Sequence, residues 1–93
     1  MINLYQKTWK EINKEIATNV QILRKRKKIS QKDLADRTGV SLGSIKRFEQ
    51  TGEISLQALT KIAIALKVEQ EMESLFTDVP FESIEEILNE QSK

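Results

Sequence analysis

Lys46 and Arg47 stand side by side in the segment SLGSIKRFEQ, residues 41–50, with the hydroxyls of Ser41 and Ser44 just ahead of them. The arginine carries a planar fork of donors that matches the two acceptors on the major-groove edge of a guanine, a pairing worth about 1–3 kcal/mol of discrimination. The lysine ammonium and the two hydroxyls suit phosphate oxygens, which fix position without reading sequence. A solvated helix face uses the same residue types, so the elements around these residues decide between the two readings.

Those elements are legible from Ser30 to Gly52, SQKDLADRTGVSLGSIKRFEQTG. Ser30 with Asp33 three residues on is a capping-box-like start for a helix beginning near Gln31. Leu34 and Ala35 form its buried face, Ala35 being small where a second helix crosses closely. Gly39 supplies the left-handed backbone that ends this helix and turns the chain. Val40 points inward and Ser41 caps the next helix, whose apolar stripe is Ile45 and Phe48 until Gly52 stops it. The outward face is then Leu42, Gly43, Lys46 and Arg47. Two short helices meeting across a tight turn form a unit that can place its second helix in the DNA major groove. Any helical bundle contains capped helices. The ordered set Gln31, Leu34, Ala35, Gly39, Val40, Ser41, Ile45, Glu49 and Gly52 is much harder to reach by accident.

At these residues the chain resembles the lambda-repressor-like helix-turn-helix regulators, of the xenobiotic-response-element and Cro-repressor type, over about Val20 to Phe76. The resemblance implies a compact, all-α, five-helix DNA-binding domain that works as a homodimer on two-fold-related half-sites of double-stranded DNA. It also implies that Gln31 touches phosphate or a base edge and that Ser41, Leu42, Gly43, Lys46 and Arg47 face the groove, with Arg24 and Glu49 forming an ion pair between the first helix and the recognition helix. The chain departs from the phage repressors at Leu42 and Gly43, where polar residues are common. Leu42 suits a thymine methyl and Gly43 a close backbone approach, so Arg47 becomes the best candidate for base recognition.

The net charge of +1 conceals a division. Residues 1–68 hold 14 basic and 6 acidic side chains, a balance of +8, whereas residues 69–93 hold 1 basic and 8 acidic, a balance of −7. The basic part has the electrostatic quality that phosphate binding needs. Its densest run, Arg24 to Lys28, closes a helix whose apolar positions are Ile12, Ile16, Val20 and Leu23. Cations there favour the negative helix terminus, which accounts for one or two of the five charges. Arg26, Lys27 and Lys28 are candidates for phosphate contact, and Ile29 packs inward.

Without cysteine or histidine, disulfide and zinc scaffolds are excluded and the commonest general base and nucleophile are missing. Glu85 and Glu86 are adjacent on a helix, so they diverge instead of converging on a substrate. The expectation is no enzyme, no metal and no cofactor. No apolar run approaches the roughly 20 residues of a membrane span, the N-terminus lacks a secretory core, and cytoplasmic residence is the simplest reading.

Beyond Gly52, Ser55 caps a fourth helix with Leu56, Leu59, Ile62, Ala63 and Leu66 on one face. Ile64 lies off that stripe, as core or as a dimer contact, with core the preferred reading. Val68, Met72, Leu75 and Phe76 complete the domain, expected over residues 16–78. Residues 1–15 are an extension of the first helix back to about Thr8, with Trp9, Ile12 and Ile16 offering apolar contacts and the first six residues frayed or an edge strand. Residues 79–93, after Pro80, read as a short acidic helix with Phe81, Ile84, Ile87 and Leu88 on one side. A helix of about ten residues is marginal alone, so that face needs a partner surface. The partner is the domain itself or its dimer mate, or else a second protein. Small regulators beside HipA-type kinase toxins share this layout, a repressor domain followed by a short tail. The function expected is a sequence-specific autorepressing homodimer, its helix 42–50 entering the major groove. The alternative is an antitoxin that binds a toxin through its tail.

Overall fold

The computed structural model describes residues 6–78 and Leu88, and among the described residues every regular element is an α-helix. A hydroxyl starts four of the five helices. Thr8 Oγ1 accepts from the Glu11 amide at 3.2 Å ahead of α1 (Trp9–Arg26), and Ser30 Oγ from the Asp33 amide at 3.0 Å ahead of α2 (Gln31–Thr38). Ser41 Oγ accepts from the Ser44 amide at 3.1 Å before α3 (Leu42–Thr51). Ser55 Oγ does the same for the Ala58 amide, also at 3.1 Å, before α4 (Leu56–Ala65). Each bond satisfies one of the donors that a helix start leaves without an intrahelical partner. The short α5 (Glu69–Glu73) has no side-chain cap.

The helices stop in two ways. At the ends of α2 and α3 a glycine turns left-handed, Gly39 at φ +75° and Gly52 at φ +84°, and the threonine before it ties the turn. Thr38 Oγ1 donates to the Leu34 carbonyl at 2.7 Å and accepts from the Val40 amide at 3.1 Å. Thr51 Oγ1 donates to the Arg47 carbonyl at 2.7 Å and accepts from the Glu53 amide at 3.1 Å. α1 and α4 end without glycine: Lys28 and Lys67 take φ of +58° and +62°. The paired bonds of a Schellman motif hold them there, Lys28 N to Lys25 O with Ile29 N to Arg24 O, and Lys67 N to Ile64 O with Val68 N to Ala63 O.

The core gathers one or two residues from each long element: Ala17 from α1, Leu34 from α2, Ile45 and Phe48 from α3, Ile62 from α4, with Ile29 and Leu66 from the turns. α1 packs mainly across α3, while α4 closes against α2 and α5. Four apolar residues expected in this core lie outside it, Leu75 among them at 49% exposed. Ile64 is 58% exposed, because it falls on the far side of α4 from the stripe formed by Leu59, Ile62, Ala63 and Leu66. Leu56 is 68% exposed, since it is the first residue of α4 and precedes the turn that meets the core. Phe76 is 95% exposed: α5 stops at Glu73, and Phe76 follows in a left-handed turn at φ +60° that throws it outward. Ile12 and Ile16 are also largely exposed on α1. The edge-strand or frayed reading of the N-terminus and the helix carrying Phe81, Ile84 and Ile87 lie outside the described residues.

Candidate nucleic-acid interface

α3 presents two chemically different faces because its partners claim one of them. Ile45, Phe48 and Glu49 are buried, whereas Gly43, Ser44, Lys46 and Arg47 are exposed and Leu42 is half-buried at the first turn. Serine hydroxyls crowd the N-terminal end: Ser41 Oγ donates to Ser44 Oγ at 2.8 Å while capping the helix. A Cβ added at Gly43 would meet nothing within 4 Å, so no neighbour within the chain requires a glycine there.

The buried face is anchored by charge. Arg24 Nε and Nη2 donate to the two carboxylate oxygens of Glu49 at 2.7 and 2.9 Å, and Gln31 Nε2 adds a third bond to Glu49 Oε1 at 3.0 Å. Burial alone would push the Glu49 carboxyl up. The hydrogen bonds from Arg24 and Gln31, the Arg24 charge and a smaller contribution from Gln21 outweigh it and hold the group below its ordinary value. Arg24 Nη1 also donates to the Ile29 carbonyl at 2.8 Å. One guanidinium thus fixes α3 to α1 and pins the turn that follows α1. That turn displays Arg26, Lys27 and Lys28, all exposed, at a set position relative to α3.

The same C-terminal end of α3 is held through its backbone as well. Lys14 Nζ donates to the Glu49 carbonyl at 2.6 Å, satisfying an acceptor of the last turn with a cation at the negative helix end. Gly52 lies so close to α1 that a Cβ there would sit 2.7 Å from the Asn13 carbonyl carbon. Past it, Glu53 returns to the exposed face: its Oε2 accepts from Arg47 Nε at 2.7 Å and from Arg47 Nη2 at 2.5 Å. The fork of Arg47 is occupied by a carboxylate from its own chain.

The structure therefore brings Gln31, Arg24 and Glu49 into one network and sets Ser41, Ser44, Lys46 and Arg47 on one exposed surface. Gln31 is partly spent, with an amide N–H donated to Glu49. Lys14, Thr51 and Glu53 escaped the sequence reading. The dipeptide Thr-Gly at both 38–39 and 51–52 was the available signal for Thr51. Glu53 had none, because Gly52 reverses the chain and no helical spacing links it to Arg47.

A family model described as Helix-turn-helix matches residues 20–69, more than half of the chain. The chain belongs to the helix-turn-helix family. The match spans the second half of α1 through the first residue of α5, so the whole Arg24–Gln31–Glu49 network and the exposed face of α3 fall inside it. No curated protein and no solved structure matches the chain. As a helix-turn-helix protein of the lambda-repressor-like, xenobiotic-response-element type, it is a DNA-binding regulator of transcription, in a family that is not typically enzymatic. Among the described residues no cluster of acidic side chains could hold a metal ion, and no helix is long and apolar enough to cross a membrane.

Proposed function

We propose that the chain is an autorepressing homodimer that occupies a two-fold-related operator, each subunit laying α3 in a major groove. One observation carries the reading: the C-terminal turn of α3 is clamped to α1, through Glu49 and through Gly52, while the opposite face of the helix is left exposed with Ser44, Lys46 and Arg47 on it. A rigidly held, polar and positive helix face is what base recognition requires, and the pinned turn Arg26–Lys28 adds cations for the phosphate backbone. Gln31, Ser41, Leu42 and Gly43 complete the contact surface. Half-sites one helical turn apart would set the two α3 helices about 34 Å from centre to centre. Repression then needs no chemistry, only occupancy that excludes polymerase.

The deciding experiment is fluorescence anisotropy with the duplex immediately upstream of the chain's own gene against a shuffled duplex, each at low and near-physiological salt. Preference for the upstream duplex by about 1000-fold that survives salt supports the operator reading. Equal, steeply salt-sensitive binding to both reduces the basic face to an electrostatic patch.

The charge division favours a second reading that coexists with the first. With four acidic side chains against one basic in residues 79–93, the tail is suited to a protein partner and repelled by DNA, as in an antitoxin that holds a toxin while regulating its own operon. A toxin gene next to this one would favour that reading. Phage or restriction genes there would favour a free-standing controller.

A further inference from the structure

α1, α4 and α5 leave an apolar groove of about 460 Å³, none of whose walls belongs to α3. Its walls include Ile16 and Leu23 of α1, Leu59 and Leu66 from α4 and the turn after it, and Met72 and Leu75 from α5 and the turn that follows. A second hollow, lined by Ile54 and Leu56 among others, shares Ile16 and Leu59 with it, so the apolar trough continues along α1 and α4. Leu75, a wall residue, is 49% exposed. A small domain gains little stability to spare from its core, and a concave apolar groove between helices is a shape that an amphipathic helix fills.

The chain carries a segment that matches the trough. Phe81, Ile84, Ile87 and Leu88 are spaced i, i+3, i+6 and i+7, the anchor pattern of a helix laid in a groove. The described domain runs to Asp78, three residues beyond the groove wall at Leu75, and the segment begins three residues further on in sequence. Leu88 is 58% exposed on its own chain, so its apolar surface is not spent there. One molecule thus holds an open apolar groove and an unspent apolar anchor, two surfaces that a two-fold dimer satisfies reciprocally.

We propose that the groove between α1, α4 and α5 seats residues 81–88 of a second copy, so that two chains exchange their C-terminal segments and the exchange is the dimer contact. This rests on the homodimer reading above. No wall of the groove belongs to α3, so the joint leaves both α3 helices free.

The test is the mass of the full chain in solution by light scattering, for the wild type, for Leu75→Glu on the groove wall and for Leu88→Glu in the segment. Ile16→Glu is a second groove-wall variant should Leu75→Glu melt early, and circular dichroism melts verify the fold of each. The wild type should run at twice the 10.7 kDa of one chain, and each variant alone should dimerise at least about tenfold more weakly, as the loss of one buried apolar anchor implies. Mixing a groove variant with the segment variant should recover dimer, because that pair retains one intact groove and one intact segment. A dimer that survives Leu88→Glu, or a mixture that stays single, overturns the exchange and leaves the homodimer standing. A wild type of single-chain mass, with Leu88→Glu lowering its melting temperature, assigns the segment to its own groove and removes the homodimer as well.

Discussion

Glu49 meets Arg24 through both carboxylate oxygens and Gln31 through one, at 2.7 to 3.0 Å and out of contact with water. Its pKa is lowered in the fold, so its contribution to stability is complete above the unfolded value of about 4.3 and disappears as pH falls through the lower folded value. Glu49→Gln leaves the buried guanidinium without a counter-charge and should cost about 3 kcal/mol near neutrality. Melting curves of both proteins from pH 7 down to pH 2 should show that gap closing in acid, whereas a constant gap would mean that packing, and not charge, makes the difference. Arg47 and Glu53 form a pair of another kind, 70% and 54% exposed at the side chain, which adds at most about 1 kcal/mol to stability. Its weight falls on recognition, because Arg47 must exchange a carboxylate for the acceptors of a guanine. Arg47→Ala should therefore relax preference at one base position, while Lys46→Ala should weaken all sequences alike and flatten the salt dependence by about one unit of slope, measured by binding to a panel of single-base variants. Equal loss of preference from both substitutions would refute that division of labour.

At the scale of the elements, the three glycines separate into different roles. Gly43 lies in α3 with open space where a side chain would begin, and Gly52 sits left-handed against the Asn13 backbone. Gly43→Ala should raise stability by about 0.5–1 kcal/mol, the ordinary helix-interior difference, and weaken DNA binding if the backbone approaches the groove there. Gly52→Ala should lower stability by about 2 kcal/mol or more, since left-handed strain and a backbone clash act together. Thermal melts rank the two, and a stabilised Gly52→Ala would contradict the close packing of α1 on α3. The same contrast explains which boundaries were legible. Helix starts were readable because Ser30, Ser41 and Ser55 carry the capping hydroxyl, and the ends at Gly39 and Gly52 because glycine declares a left-handed turn. The ends of α1 and α4 were not, because Lys28 and Lys67 adopt that conformation under tertiary constraint and lysine announces nothing of the kind. Phe76 failed for the same reason: its apolarity suggested core, and a left-handed turn after a short helix sends it into solvent.

For the molecule as a whole, an all-helical fold and a basic domain with an acidic tail were both open to inspection in the sequence, since amphipathic spacing and charge order are properties of the chain alone. The Lys14 cap on α3 and the groove between α1, α4 and α5 were not, because each depends on how helices far apart in sequence come to rest. The buried Arg24–Glu49 pair has a further consequence, in time instead of in affinity. Most of the structure is local helix, the topology of chains that fold in microseconds to milliseconds. A desolvated pair joining residues 25 positions apart needs α1 and α3 docked, and we predict that it forms after the barrier, so that Glu49→Gln speeds unfolding in stopped-flow measurements and leaves the refolding rate almost unchanged; an equal slowing of refolding would place it in the nucleus. Interactions made there slow unfolding and leave folding almost untouched. The pair is thus a latch on the lifetime of the native state, and it governs how rarely α3 is offered to proteases more than how quickly it is assembled.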